Sequence, residues 1–273
     1  MCNVCMPISE EASTTDEFAD QLLDMLNQGA LSLMVSIGHR TGLFDCLTEL
    51  ASPTCEQLAT HAGLDQRYVK EWLAAMVTGS VVKYLPATDE YVLPGSHAAL
   101  LTRSSAPDNI AVFAQYIGIL GQVEDRIVEC FRNGGGVAYE HYPRFHEVMA
   151  EDSGQTVLAG LDEYILPLIG HIIPQLEAGI RVLDVGCGKG RVLLHLASRY
   201  PASRFMGYDL STEALADARQ QAEVAGLGNI QFEVRDLSDF GHSAEPEAFD
   251  FVTAFDAVHD QAVPQSVLNG IYR

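Results

Sequence analysis

The chain has 273 residues, room for two domains of ordinary size, and 48% of them are hydrophobic, enough for a sizeable core and too many for wholesale disorder. Sixteen Lys and Arg stand against 37 Asp and Glu, a net charge of −21. Such an acidic surface repels phosphate backbones and anionic lipid, so general nucleic-acid binding and membrane attachment are not expected; a soluble protein acting on small or neutral molecules is.

Residues 1–15 read as a mobile tail. Its first ten residues lack both the basic start and the apolar run of a secretory signal, and the six cysteines, Cys2, Cys5, Cys46, Cys55, Cys130 and Cys187, are scattered. Together these point to a reducing, cytoplasmic setting. Cys2 and Cys5 form a C-x-x-C with no second pair to complete four zinc ligands, so no metal site is expected. The longest apolar stretch, residues 110–121, contains Gln115 and is too short to span a bilayer.

A helix is predicted over residues 16–38, where Phe18, Leu22, Leu23, Leu26, Ala30, Leu33, Met34 and Ile37 recur at helical spacing until Gly42 breaks it. Residues 43–50 read as a short helix. Thr54 and Gln57 have capping-box spacing, opening a helix that ends near Gly63. Asp65 caps the next, whose buried face would carry Val69, Trp72, Leu73, Met76 and Val77. Two short β runs follow at 81–85 and 91–93, with the turn formers Pro86, Thr88 and Asp89 between them. Three helices and a hairpin are the order of a winged helix, assigned here to residues 16–105. Its would-be recognition helix offers Arg67 and Lys70 beside Asp65 and Glu71, and residues 1–105 hold 5 basic and 13 acidic residues. A DNA-reading regulator is therefore disfavoured, and a dimerisation or substrate-capping module is preferred.

Residues 106–178 read as a mostly helical connector, broken at Gly134-Gly135-Gly136. The following cluster of Tyr139, His141, Tyr142, Phe145 and His146 could either line a pocket or simply pack. From residue 179 strands and helices alternate: strands at 181–185, 204–208, 230–234 and 249–255, and helices at 190–200 and 212–225. Alternation of this kind gives a parallel sheet with helices on both faces.

The first of these strands runs into Gly186-Cys187-Gly188-Lys189-Gly190, a glycine turn that lets backbone approach a ligand beside a helix N-terminus. The spacing is neither G-x-G-x-x-G nor that of a P-loop. Asp184, just ahead of the glycines, would repel a phosphate and suits a cationic group such as an ammonium. Asp209 ends the second strand, where a carboxylate can accept two ribose hydroxyls. Asp236 follows the third, where an acceptor can meet an adenine amino group. Any one of these acids could be a solvated loop residue or a helix cap. Three of them at the carboxyl ends of successive parallel strands mark the edge where open α/β sheets bind ligands.

The run from Val182 to Gly190, followed by Asp209 and Asp236, resembles the first motif of class I S-adenosylmethionine-dependent methyltransferases. The front half is similar to the winged-helix domain that precedes the catalytic domain in small-molecule O-methyltransferases and related bacterial-type enzymes. The resemblance implies S-adenosylmethionine as cofactor, with Asp184, Gly186, Cys187, Gly188 and Gly190 around the methionine part. It implies Asp209 and Leu210 at the ribose, Asp236 and Leu237 at the adenine, and Phe255 as a further cofactor contact. It also implies that His259, in a His-Asp pair with Asp260 after the fourth strand, is the general base for a hydroxyl acceptor. Gln261 stands where the plant enzymes follow that pair with tryptophan, which weakens any carry-over of phenolic substrates. The implied partners are a small-molecule methyl acceptor and a second copy joined through the N-terminal domain. The competing readings are an S-adenosylmethionine-binding fragment or regulatory isoform without turnover and, last, a DNA-binding regulator.

The family's sheet has seven strands. The expected architecture is thus α/β: a mostly α winged helix, then over residues 179–273 a Rossmann-like methyltransferase sheet truncated after its fourth strand. With strand order 3-2-1-4, that strand would lie at an open edge, leaving an apolar edge and face, with Phe249, Phe251, Val252 and Phe255, exposed. A truncated product of low stability and little or no activity is the corresponding expectation.

Overall fold

A computed structural model describes residues 14–273, so the expected tail up to residue 13, with the Cys2 and Cys5 pair, lies outside the described residues. The chain divides into two compact units that meet in sequence at Ala98 and Ala99.

The first unit opens with α1 (Thr15–Thr41), capped by Thr14, which forms a reciprocal capping box with Glu17. Gly42 ends α1 in the left-handed region at φ 72°, a conformation that costs a residue without Cβ nothing, and α2 (Leu43–Glu49) starts at once. The box of Thr54 and Gln57 opens α3 (Cys55–Ala62), which Gly63 closes. Asp65 accepts from the backbone N–H of Arg67 and Tyr68 to start α4 (Gln66–Thr78). This helix buries Val69, Trp72, Leu73 and Met76, while Val77 is only half-buried. Trp72 is the anchor of the unit. Its indole N–H donates to the Met34 carbonyl at 2.8 Å, and its ring meets Phe44 edge-on at 5.2 Å. The hairpin of β1 (Lys83–Leu85) and β2 (Glu90–Val92) is antiparallel, with Tyr84 opposite Tyr91. It starts two residues later than predicted because the N–H groups of Val81 and Val82 turn back to the Met76 carbonyl. α5 (Gly95–Leu101) runs across the boundary between the units.

The second unit begins with helices. α6 (Ala114–Gln122) and α7 (Glu124–Asn133) precede the glycine break, where Gly134 and Gly135 both take positive φ. α8 (Phe145–Ser153) continues into wide π-type turns at Gly154–Leu158 and Leu161–Ile165, and α9 (Ile172–Ala178) leads to the sheet. There follow β3 (Arg181–Val185), α10 (Arg191–Arg199), β4 (Arg204–Asp209), α11 (Thr212–Val224), β5 (Ile230–Val234), α12 (Phe240–Ser243), β6 (Phe251–Thr253) and α13 (Pro264–Tyr272). The four strands are parallel in the order β5-β4-β3-β6, the expected 3-2-1-4. One face packs under α9, α10 and α11 through Leu176, Leu193, Leu196, Leu215 and Ala218, and the other under α12 and α13 through Phe240 and Val267.

Two expectations for β6 need correction. It is three residues long instead of seven, because only Val182, Leu183 and Asp184 of β3 offer it a ladder. Nor is its face bare. Phe251 and Phe255 pack into the first core and Phe249 and Val252 into the second, beside Val267 of α13, and all four are half-buried. Among the described residues β6 pairs with one strand only, so its outer backbone edge is unpaired.

Candidate active site

The site is built at the carboxyl ends of β3, β4 and β6, all within the second unit. β3 is apolar where it crosses the core, with Val182, Leu183 and Val185 at 1% exposure or less, and Asp184 sits among them, itself 4% exposed. Burial pushes its carboxyl up to about 7, against the lowering effect of a hydrogen bond from Thr253 Oγ1 at 2.7 Å; the charge of Asp209 adds to the rise. Thr253 lies directly opposite Asp184 in the β3–β6 register, which is why its hydroxyl reaches.

The glycine turn leaves β3 with Gly186, Gly188 and Gly190 at φ 73°, 52° and 66°. The first and last are needed for closeness as well as for φ. A Cβ on Gly186 would collide with the Ala257 methyl, and one on Gly190 would come within 2.6 Å of the Phe232 ring. Gly188 is different: a Cβ there would point into open space, and this residue lines the cavity beside the turn. The N–H groups of Gly186 and Cys187 donate to the Tyr208 carbonyl, tying the turn to β4. Asp209 completes the tie. One carboxylate oxygen accepts from the Gly188 N–H and the other from the Ser211 N–H, each at 2.8 Å. The Cys187 sulfur fills the gap above Gly207, where a Cβ would meet it at 2.6 Å, and burial drives its thiol far up.

A cavity opens between this turn and α8. Its walls are Asp184, residues 186–192, Phe255 and, from the connector, His146, Met149 and Ser153. A neighbouring groove is lined by Leu210, Lys189 and residues 138–140 and 142–147. There Tyr139 stacks on Phe145 at 5.1 Å, and Phe145 meets His146 edge-on at 5.7 Å. Tyr116 of α6 donates to Asp152 of α8 at 2.8 Å. Burial raises the Tyr116 hydroxyl strongly; the hydrogen bond to Asp152 and the charges of Asp256 and Asp260 push the same way.

The structure thus brings together Asp184, Gly186, Cys187, Gly188, Gly190, Asp209 and Phe255. Leu210 is 59% exposed in the adjoining groove. Asp236 lies two residues beyond β5 in solvent, held below the usual carboxylate range by the Ser238 N–H at 2.9 Å. The Leu237 side chain does not face a ligand. It is 3% exposed, packed with Phe240 and Val267 under the sheet, so only its backbone remains for an adenine. His259 is paired with Asp260 at 3.3 Å on the irregular segment after β6, its side chain 68% exposed. Sequence reasoning missed Thr253, Met149, Ser153 and the Tyr116–Asp152 pair. A hydroxyl in the apolar run from Phe251 to Phe255 was the one signal for Thr253; the helical pair had none.

Residues 29–103 match the Rv2258c-like winged helix-turn-helix domain, and residues 176–273 match a methyltransferase domain family. The chain is 23% identical over 253 residues to the methyltransferase ungE' of Aspergillus campestris, covering 91% of this chain and 69% of that one. Two further curated methyltransferases are matched over only 30% and 37% of their length. Among solved structures, the mitomycin 7-O-methyltransferase MmcR aligns with a TM-score of 0.63 at 17% identity, over 94% of this chain and 76% of that one. Human N-acetylserotonin methyltransferase in complex with S-adenosylmethionine aligns at 0.59 and 19%, over 96% and 78%. At these identities the likeness is one of fold.

Proposed function

We propose that this chain, with its winged-helix match ahead of its methyltransferase-domain match, binds S-adenosylmethionine at the glycine turn and passes the methyl group to a small-molecule acceptor. The observation that carries the reading is Asp184. A carboxylate buried at the end of the central strand, beside a glycine turn open toward a cavity, is matched by a ligand that brings its own positive charge. S-adenosylmethionine brings an ammonium and a sulfonium. Asp209, already bracing Gly188, keeps lone pairs for the two ribose hydroxyls. Asp236 and the Leu237 backbone lie at the end of the next strand, where the adenine would reach. When bound, the cofactor supplies an electrophilic methyl on sulfur; the chain positions both partners and takes a proton from the acceptor.

For a hydroxyl acceptor the base is His259, oriented by Asp260. His146 is a second reading, favoured by its place on the cavity wall itself. A methyl-transfer screen with His259→Ala and His146→Ala separates them. The true base loses about 10²–10⁴-fold in rate with unchanged cofactor affinity. Loss in neither variant removes both assignments, and cofactor binding without turnover on any acceptor favours the regulatory alternative.

Homodimerisation through α1 belongs to the same reading. Phe18, Leu23, Met25 and Leu26 are each more than half exposed along it, and Leu22, Leu33 and Ile37 are 43% exposed. An apolar stripe of this length on a helix calls for a partner surface, and in a homo-oligomer the usual answer is the same stripe on a second copy.

A further inference from the structure

The winged-helix unit holds a group of side chains that the methyl-transfer reading does not use. Cys46 and Glu49 stand one turn apart on α2, and His61 stands in the last turn of α3. His61 Nε2 and a Glu49 carboxylate oxygen are 2.7 Å apart. The Cys46 sulfur joins them, all three donor atoms lying within 4.8 Å of one another. The helices that carry them are fixed from below: Leu43, Phe44 and Leu47 of α2, and Leu58 and Ala59 of α3, are 3% exposed or less. With the helices held in this way, side-chain rotation is what must draw the three donors in to zinc distances.

We propose that Cys46, Glu49 and His61 form a site for a zinc-like divalent cation. The donor set decides the metal. A thiolate and an imidazole are poor ligands for magnesium or calcium, whereas sulfur, nitrogen and one carboxylate oxygen are the ordinary coordination of zinc. A thiolate and a carboxylate neutralise the charge of a divalent ion. Glu49 and His61 are exposed and Cys46 is half-buried, so the fourth tetrahedral position faces solvent and water fills it. The sulfur enters as thiolate, and one proton passes to solvent for each ion bound. The bound ion staples α2 to α3 and stabilises the folded unit by mass action.

The test uses the full chain with Cys2→Ser and Cys5→Ser as background, so that the two N-terminal thiols contribute no signal. After chelator treatment it is titrated with Co(II). The expected result is one equivalent bound with a thiolate-to-cobalt charge-transfer band, displaced by Zn(II). Cys46→Ser removes the band, and His61→Ala and Glu49→Gln each weaken binding by at least about tenfold, since even outer-shell partners cost 10–100-fold. Zinc, and not magnesium, raises the melting temperature of the background chain and leaves that of Cys46→Ser unchanged. Absence of a band at one equivalent, or a band that persists in Cys46→Ser, overturns the proposal. Should Cys46→Ser fail to fold, Glu49→Gln decides: undiminished affinity there overturns it equally.

Discussion

A carboxylate inside a sheet works against the fold that holds it. Asp184 carries its proton to about pH 7 when the site is empty, whereas an unfolded Asp loses it near about 3.9. Between those values the folded chain binds more protons than the unfolded one, so this residue makes stability fall as pH rises from about 4 to 7. Asp184→Asn keeps an acceptor for Thr253 and removes the charge. The ligand-free variant should be more stable than the parent at pH 8, by at most about 4 kcal/mol, with the difference vanishing toward pH 4. Denaturant titrations at the two pH values check this, and an Asn variant less stable at both would refute it. Cofactor binding has the opposite sign. The bound cation needs the carboxylate, so parent affinity should weaken as pH drops below 7, by up to about tenfold per unit. Asp209→Ala should bind the cofactor at least tenfold more weakly, since each charge-assisted bond lost is worth about 1.5–3 kcal/mol. Asp209→Asn, which retains one acceptor, should fall between.

At the scale of elements, the turn between β3 and α10 separates packing from binding. Gly190→Ala places a methyl against Phe232 at positive φ, which should cost about 1–3 kcal/mol for the clash and about 1–2 for the backbone. Gly188→Ala meets no atom and carries only the backbone cost of about 1–2 kcal/mol at its own φ of 52°, so it should lose less stability than Gly190→Ala and still lose the cofactor. Parallel melting and binding measurements on the two variants test the division; equal effects of both on stability would count against it. The same elements show what the sequence discloses. β3 and β5 run between the residues predicted for them, because β3 is a largely apolar run and β5 alternates Ile230 and Phe232 with Gln231 and Glu233, each with turn formers beside it. The face of α4 follows from helical spacing. The wing strands begin late because Val81 and Val82 bond to Met76, a tertiary choice with no local mark. The family resemblance implies Leu237 at the adenine, and its side chain packs with Phe240 and Val267, which leaves its backbone for that role. Tyr116 and Asp152 lie on different helices, and Thr253 meets Asp184 only through strand register. Contacts of that kind depend on how elements pair, which no spacing records.

For the whole molecule, the net charge of −21 keeps copies apart, and the stripe on α1 is what would hold two together. Leu22→Glu with Leu26→Glu should convert a dimer to monomers by light scattering while cofactor affinity stays within about twofold. A parent chain that is already monomeric at micromolar concentration would refute the α1 interface. The central claim, a cofactor site built from acidic strand ends around a glycine turn, is tested most directly by isothermal titration of the chain with S-adenosylmethionine at pH 7.5, beside Asp184→Asn and Asp209→Ala. The account predicts one site per chain in the parent and at least tenfold weaker binding in both variants, with folded circular-dichroism spectra throughout. No binding by a folded parent, or equal affinity in all three, would contradict it.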